Sequence, residues 1–178
     1  MELTRSVKIP VKVKNCEVGD QLILGSGFTA TCQKVSEDGE YATFCLDQYL
    51  DEAVTRDKAQ DYMNKVYDET DIFDSVKHRI RIIPSESSNV LRLPYAEEFF
   101  GPLDWVVPSG KEQWPLMKNT KNRIAYRQNS WEWGWLMNQH KEFASYFAIV
   151  TAYGFSSYNS ASTAAGVRPV FVLRLKAE

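Results

Sequence analysis

Val7, Ile9, Val11 and Val13 recur at every second position with Lys8, Lys12 and Lys14 between them. That is the period of a half-buried strand with a charged outer face, suited to a sheet edge. After a Gly19-Asp20 turn, Gln21 to Leu24 restarts as a short apolar strand ended by Gly25-Ser26-Gly27. Phe28 to Val35 and Tyr41 to Leu46 flank Ser36-Glu37-Asp38-Gly39, where Asp-Gly signals a hairpin. The period then changes. Ala59, Tyr62, Met63, Val66 and Tyr67 follow the three-four spacing of an amphipathic helix, with Asp61, Asn64, Lys65 and Asp68 on its other side. A second short helix is predicted over Ile72 to Arg79, with Ile72, Phe73, Val76 and Ile80 inward, then a short strand at Leu91–Pro94 and one or two helical turns over Tyr95–Phe100.

Beyond Gly101-Pro102 the pattern loosens. Gly101 to Gln128 is rich in Pro, Trp and Lys and shows no sustained period, and irregular stretches of that length inside compact domains tend to be functional or mobile. Trp131 to Met137 alternates, which in one strand would place Trp131, Trp133 and Trp135 on one face and Glu132 and Gly134 on the other. Such a face reads as core, and any tryptophan of it left outside would be a binding anchor. Ala144–Thr151 is apolar, Gly154–Gly166 small and polar, and Val167–Leu175 is a final strand that needs an antiparallel neighbour, as does Val7–Val13. No repeat is present. The elements describe one α+β domain over 1–178: a β-meander over 1–50, helices and a short strand over 51–100, and a loop-rich part over 101–178.

Composition narrows the classes. A hydrophobic fraction of 44% supports a core without staples, and all five tryptophans fall in the second half. The net charge of −2 argues against direct nucleic-acid binding. The charges are segregated: Asp47 to Asp74 holds nine acids against three bases, whereas Lys111, Lys118, Lys121, Arg123, Arg127 and Lys141 form a basic stretch. Cys16, Cys32 and Cys45 show no metal-ligand spacing, so free buried thiols are expected, with no metal and no cofactor. No stretch is apolar enough for a membrane span, and Met1–Lys14 lacks the apolar run of a signal peptide. The expected location is the cytoplasm of a host cell, or a virion.

The segments Leu91-Arg92-Leu93-Pro94-Tyr95-Ala96-Glu97-Glu98-Phe99, Trp133-Gly134-Trp135-Leu136, Val150–Tyr153 with Gly154, and Gly166-Val167-Arg168-Pro169-Val170-Phe171-Val172-Leu173 together resemble a widespread bacterial and prophage domain of unknown function. The closing Gly-Val-Arg-Pro strand is the most specific part, and the likeness is clearest from Leu91 onward. Similar closing strands occur in formylglycine-generating-enzyme-like and phage variable receptor-binding domains. The resemblance implies a C-type-lectin-like fold: short mixed strands around two helices, with long loops on one face that bind ligands. Met137-Asn138 stands where that family usually has arginine and serine, and no calcium-binding lectin signature is present. The last cysteine is Cys45, so the C-terminal cysteine pair of the formylglycine-generating enzymes, and with it their activity, is excluded.

Catalytic residue types are sparse. His78 and His140 read as surface histidines, Glu97 and Glu98 are adjacent helix positions that point apart, and no nucleophile elbow or phosphate loop exists. Arg168 reads as structural, pairing with a buried acid or carbonyls. The chain is therefore expected to be a non-catalytic binding module of phage or prophage origin. It would recognise a protein or glycan through Trp105, Tyr153, Phe155, Tyr158 and Asn159, in the loops Trp105–Gln128 and Tyr153–Ser162. The alternative is an acidic, anti-CRISPR-like intracellular inhibitor whose Asp57, Asp61 and Asp68 dock on a basic nucleic-acid-binding surface.

Overall fold

Three antiparallel sheets and three α-helices make up the mixed α/β fold of the computed structural model, which describes residues 10–176. The first sheet contains β1 (Gln21–Ile23), β2 (Thr29–Val35), β3 (Tyr41–Leu46), β4 (Ile80–Arg81) and β10 (Val170–Arg174), in the order β1-β2-β3-β10-β4. A hairpin pairs β5 (Ala125–Arg127) with β6 (Ser130–Glu132), and a third sheet orders β7 (Gly134–Gln139), β8 (Tyr146–Val150) and β9 (Ser156–Ser160) in sequence. The helices are α1 (Ala59–Glu69), α2 (Ala96–Phe100) and α3 (Thr120–Arg123).

The β2–β3 hairpin forms where Asp-Gly places it. The Asp38 carboxylate accepts from Ser36 Oγ at 2.6 Å and the Glu40 N–H at 2.9 Å, and Gly39 takes a positive φ of 69°. The closing strand β10 sits between β3 and β4, antiparallel to both. Of the N-terminal strand expected over Val7–Val13, positions up to 9 lie outside the described residues. Its remainder is not a strand: Pro10–Lys12 carry no pairing and Val13–Asn15 is a 3-10 turn. Both sides of β10 are already occupied, so that segment has no place beside it.

The first and third sheets are each covered on two faces, so alternate residues feed two cores. Ala42, Phe44 and Leu46 of β3, Phe171 and Leu173 of β10, and Trp135 and Ile149 face the larger core. Cys45, Val170, Leu136, Ala148 and Val150 face the smaller one. Phe44 and Phe171 are register partners and stack with centroids 5.7 Å apart, while Phe73 meets Phe171 edge-on at 5.5 Å. Helix α1 closes the larger core with Ala59, Met63 and Val66.

Three local expectations fail for identifiable reasons. Ile72–Arg79 is a run of turns, not a helix. The Ile72 carbonyl, which a helix would offer to the Val76 N–H, accepts from Gly25 N–H at 2.9 Å, and Val76 N–H donates to Phe73 O instead. Its Ile72, Phe73, Val76 and Ile80 are nonetheless buried. Leu91–Pro94 makes a single bridge, Arg92 with Val170, because Pro94 has no N–H and the Leu91 carbonyl accepts from Gln60 Nε2. The tryptophan strand is two strands, β6 and β7, parted at Trp133, whose carbonyl accepts from Gly166 N–H at 3.1 Å. Trp135 is buried and Trp133 half-buried, whereas Trp131 is exposed.

The two halves meet at Tyr49. Its ring fills the space over a parallel bridge between Gly134 and Gly166, where an added Cβ would lie 2.3 Å and 2.7 Å from ring atoms respectively. Around it, Tyr49 N–H donates to Tyr126 O, Leu50 N–H to Val167 O, Trp135 N–H to Gly166 O and Trp135 Nε1 to Val54 O. The buried Tyr49 hydroxyl has no hydrogen-bond partner among the described residues, and burial pushes its pKa up.

Helix α2 buries four of its five residues, including Glu97 and Glu98. As expected, the carboxylates diverge. Glu98 takes both Arg92 terminal nitrogens, at 2.7 and 2.9 Å, and the Tyr95 N–H at 2.8 Å. Glu97 accepts from Asn138 Nδ2 and Ser109 N–H, both at 2.6 Å. Asn138 also accepts from Ala96 N–H and donates to Val107 O, so one amide joins α2, β7 and the 107–109 segment. Burial pushes the Glu97 pKa up, but the hydrogen bonds from Ser109 and Asn138 outweigh it and hold the pKa below its usual value.

Gly166→Ala should therefore cost about 1–3 kcal/mol in urea unfolding by forcing ring and strand apart. Tyr49→Phe, which removes only an unpartnered hydroxyl, should leave stability unchanged or raise it. Asn138→Ala should cost about 2–4 kcal/mol, since it strips partners from a buried carboxylate and a buried N–H. Because the folded Glu97 pKa is depressed, its contribution is present above the unfolded value of about 4.3 and is lost as pH falls through the folded value. Urea midpoints of Glu97→Gln should thus lose that part of the acid-side slope.

Candidate functional site

The six exposed large aromatic side chains among the described residues all fall between Tyr126 and Tyr158; Tyr126 and Trp131 lie on β5 and β6, Phe143 between β7 and β8, and Tyr153, Phe155 and Tyr158 on the β8–β9 turn or β9. Tyr126 and Trp131 are directly opposed in the β5–β6 hairpin. The two-residue turn between these strands puts Gln128 and Asn129 at φ 50° and 67°, the primed geometry that matches strand twist. On the hairpin's other face Ala125 is buried, and Arg127 pairs with Glu132 at 2.7 Å. The polar pair thus lies on the side of the buried residue, and the aromatic pair faces solvent.

Tyr153 completes this surface from the β8–β9 turn. Tyr126 and Trp131 meet edge-on at 5.7 Å, and Trp131 and Tyr153 at 6.4 Å. Their exposures are 41%, 54% and 68%, with Phe155, two residues on, at 61%. The turn is held tightly. Thr151 N–H donates to Phe155 O, Phe155 N–H donates to Thr151 Oγ1, and Gly154 takes φ 84° with Thr120 packed where its Cβ would be. Arg123 clamps it from α3, donating to Gly154 O at 2.8 Å and Met117 O at 2.7 Å. Arg168, structural as expected, donates to the carbonyls of Leu46, Asn122 and Arg123 and so fixes the α3 end to the first sheet.

A second aromatic group holds the other expected residues. Trp105 is half-buried and lies 5.6 Å from both His140 and Tyr158, and His140 lies 4.8 Å from Tyr158 and 4.9 Å from Phe143. His140 is not a surface histidine. It is buried, bridges to Val106, and its Nδ1 accepts from the Glu142 and Phe143 N–H groups. The structure therefore brings Trp105 and Tyr158 together, with Tyr153 in the Trp131 group, and Asn159 in neither. Asn159 lies on the opposite face of β9 from Tyr158, its side-chain oxygen taken by Ser160 N–H and Thr163 Oγ1. The expected Tyr153–Ser162 loop is largely the edge strand β9, because Ser156–Ser160 pairs in full with β8.

Asp57, Asp61 and Asp68 are exposed and lie before or along α1. The hydrogen bond from Thr55 Oγ1, at 2.6 Å, lowers the Asp57 pKa. His78 is exposed, within the run of turns. No group of three or more His, Cys, Asp or Glu side chains among the described residues has the geometry to hold a metal ion, and no described helix is long and apolar enough to cross a membrane. Tyr126 escaped the sequence reading because its partners are distant in the chain, although its place opposite Trp131 across Gln128-Asn129 follows once the hairpin is drawn. No protein-family model, curated protein or solved structure matches this chain.

Proposed function

We propose that the chain is a non-catalytic binding module that recognises a protein or glycan ligand through Tyr126, Trp131 and Tyr153, with Phe155 beside them. The observation that carries this is a row of three exposed rings, Trp131 meeting Tyr126 on one side and Tyr153 on the other, on a braced hairpin and turn. Trp and Tyr concentrate binding energy, and rings already held in place lose little freedom when a ligand lands on them. Trp105 and Tyr158 form a separate aromatic group around the buried His140. A C-type-lectin-like architecture and a phage or prophage setting belong to the same proposal. Support for them comes from the strand that follows Gly-Val-Arg-Pro, which lies between β3 and β4 of the first sheet, and from recognition residues that fall on a hairpin and a turn outside that sheet.

One observation favours a second reading. Asp57, Asp61 and Asp68 are all exposed, so they are available to a basic, nucleic-acid-binding partner as in an anti-CRISPR-like inhibitor.

Capture of a ligand from host lysate by immobilised chain, at low and high salt, separates the two. Combined Trp131→Ala and Tyr153→Ala should weaken capture at least about tenfold with little dependence on salt, since such anchors act through desolvated contact. Reversal of Asp57, Asp61 and Asp68 to lysine should then have little effect. Loss confined to the lysine variant, shrinking as salt rises, would instead assign recognition to the acidic face. Undiminished capture by both variants would discard both surfaces.

A further inference from the structure

Cys16 and Cys32 are sixteen positions apart in sequence and adjacent in space. The Glu17–Asp20 turn, closed by Asp20 N–H on Glu17 O and Glu17 N–H on the Asp20 carboxylate, folds Cys16 back towards β2. Gly19 N–H donates to Cys32 O and Cys32 N–H to Asp20 O, both at 2.8 Å, extending the β1–β2 ladder to Cys32. Cys16 packs on the core cluster that contains Cys32, and the two side chains are near enough to act on each other's ionisation. The pair is asymmetric in access. Cys32 is fully buried, whereas Cys16 is part-exposed and lines a groove of about 580 Å³ with Lys12, Asp20 and Leu22. Cys45, the third thiol, belongs to the other core, on the opposite side of the first sheet.

We propose that Cys16 and Cys32 are a reversible oxidation site, forming an intramolecular disulfide on reaction with hydrogen peroxide entering through the groove. The Cys16 thiolate attacks a peroxide oxygen. An S–O bond forms, the O–O bond breaks, and the departing hydroxide takes a proton to leave as water. The Cys32 sulfur then attacks the Cys16 sulfenic acid: the S–S bond forms, the S–O bond breaks, and the Cys32 proton leaves with the hydroxide as a second water. Two electrons pass from the two thiols to one peroxide.

The division of roles follows from the local charges and contacts. Hydrogen bonding from Cys32 lowers the Cys16 pKa, outweighing its partial burial and the neighbouring Asp20 and Glu17 carboxylates. The same hydrogen bond and burial raise that of Cys32. Cys16 is accordingly the attacking sulfur and Cys32 the proton donor that resolves it. Burial, foremost, pushes Cys45 up to about 11, and it stays inert. The disulfide would fasten the Val13–Cys16 segment to β2 across the groove mouth.

The test uses the full, reduced chain treated with hydrogen peroxide, then denatured for thiol titration, intact mass and non-reducing peptide mapping. The wild type should lose two of its three thiols. Its monomer mass should fall by about 2 Da, the map should join Cys16 to Cys32, and a dithiol should reverse the change. The oxidised form should melt about 5–10 °C higher, as closure of a loop of this length implies. Cys45→Ser should behave as the wild type, while Cys16→Ser and Cys32→Ala should give no such monomer. Because oxidation is read on the wild type and on Cys45→Ser, poor folding of the other variants leaves the test intact. Retention of all three thiols, a bridge that includes Cys45, or intermolecular disulfides alone would overturn the assignment.

Discussion

The ring of Tyr49 lies against the backbone where Gly134 of the third sheet bridges to Gly166, on the approach to the first sheet's closing strand, and only glycine at 134 and 166 lets it do so. Replacing either hydrogen with a methyl group puts carbon well inside van der Waals contact, so the ring, β7 and the approach to β10 must be assembled together or not at all. The hydrogen bonds around it run in both directions, from residues 49, 50 and 54 to the hairpin and the segment that leads into the closing strand, and back from Trp135. A buried hydroxyl without a partner is tolerated there because the ring's burial and the interlocked backbone bonds outweigh its desolvation. This contact helps to place the segments that carry the aromatic surface relative to the first sheet.

The second fixed point is polar. Helix α2 is too short to be stable alone, and two of its four buried side chains are carboxylates. It persists because Arg92 forks onto Glu98, Asn138 reaches Glu97, and Arg168 lies over the Phe99 ring at 5.4 Å. A buried ion pair adds little net stability over an apolar equivalent, but it is costly to break on one side, so it specifies one arrangement. Asn138 is a structural joint among three segments.

What the sequence revealed and what it hid divide along a physical line. The β2–β3 hairpin and α1 were legible because turn chemistry and period are local: Asp38-Gly39 closes the first, and three-four spacing defines the second. The inward residues of 72–80 were legible for the same reason, whereas their helical form was not, because Gly25 takes the Ile72 carbonyl from far away in the chain. Trp131, Trp133 and Trp135 share a period but not a strand, since the break at Trp133 depends on Gly166. His140 looked exposed from its polar neighbours and is enclosed by aromatic rings that converge only in the fold. Glu97 and Glu98 were correctly judged not to share a site, but their burial depends on Arg92, Ser109 and Asn138, which no local pattern connects to them.

Those long-range contacts also explain why exposed aromatics are tenable here. Apolar rings on mobile loops invite non-specific association, and ordering them on binding costs freedom. Tyr126 and Trp131 stand on a hairpin whose turn is set by two positive-φ residues and whose inner face carries the Arg127–Glu132 pair. Tyr153 stands on a turn that Arg123 ties to α3, and Arg168 in turn ties the end of α3 to the first sheet. The chain of support therefore runs from core to arginines to backbone carbonyls to rings. Charges on α1 have no comparable bracing: Asp61 and Asp68 project from a solvated helix face beside Lys65, where water and salt weaken each of them. Of the two surfaces, the aromatic one has had its ordering cost met by the fold before any ligand arrives, and that favours the proposal that recognition falls on the rings rather than on the acidic face.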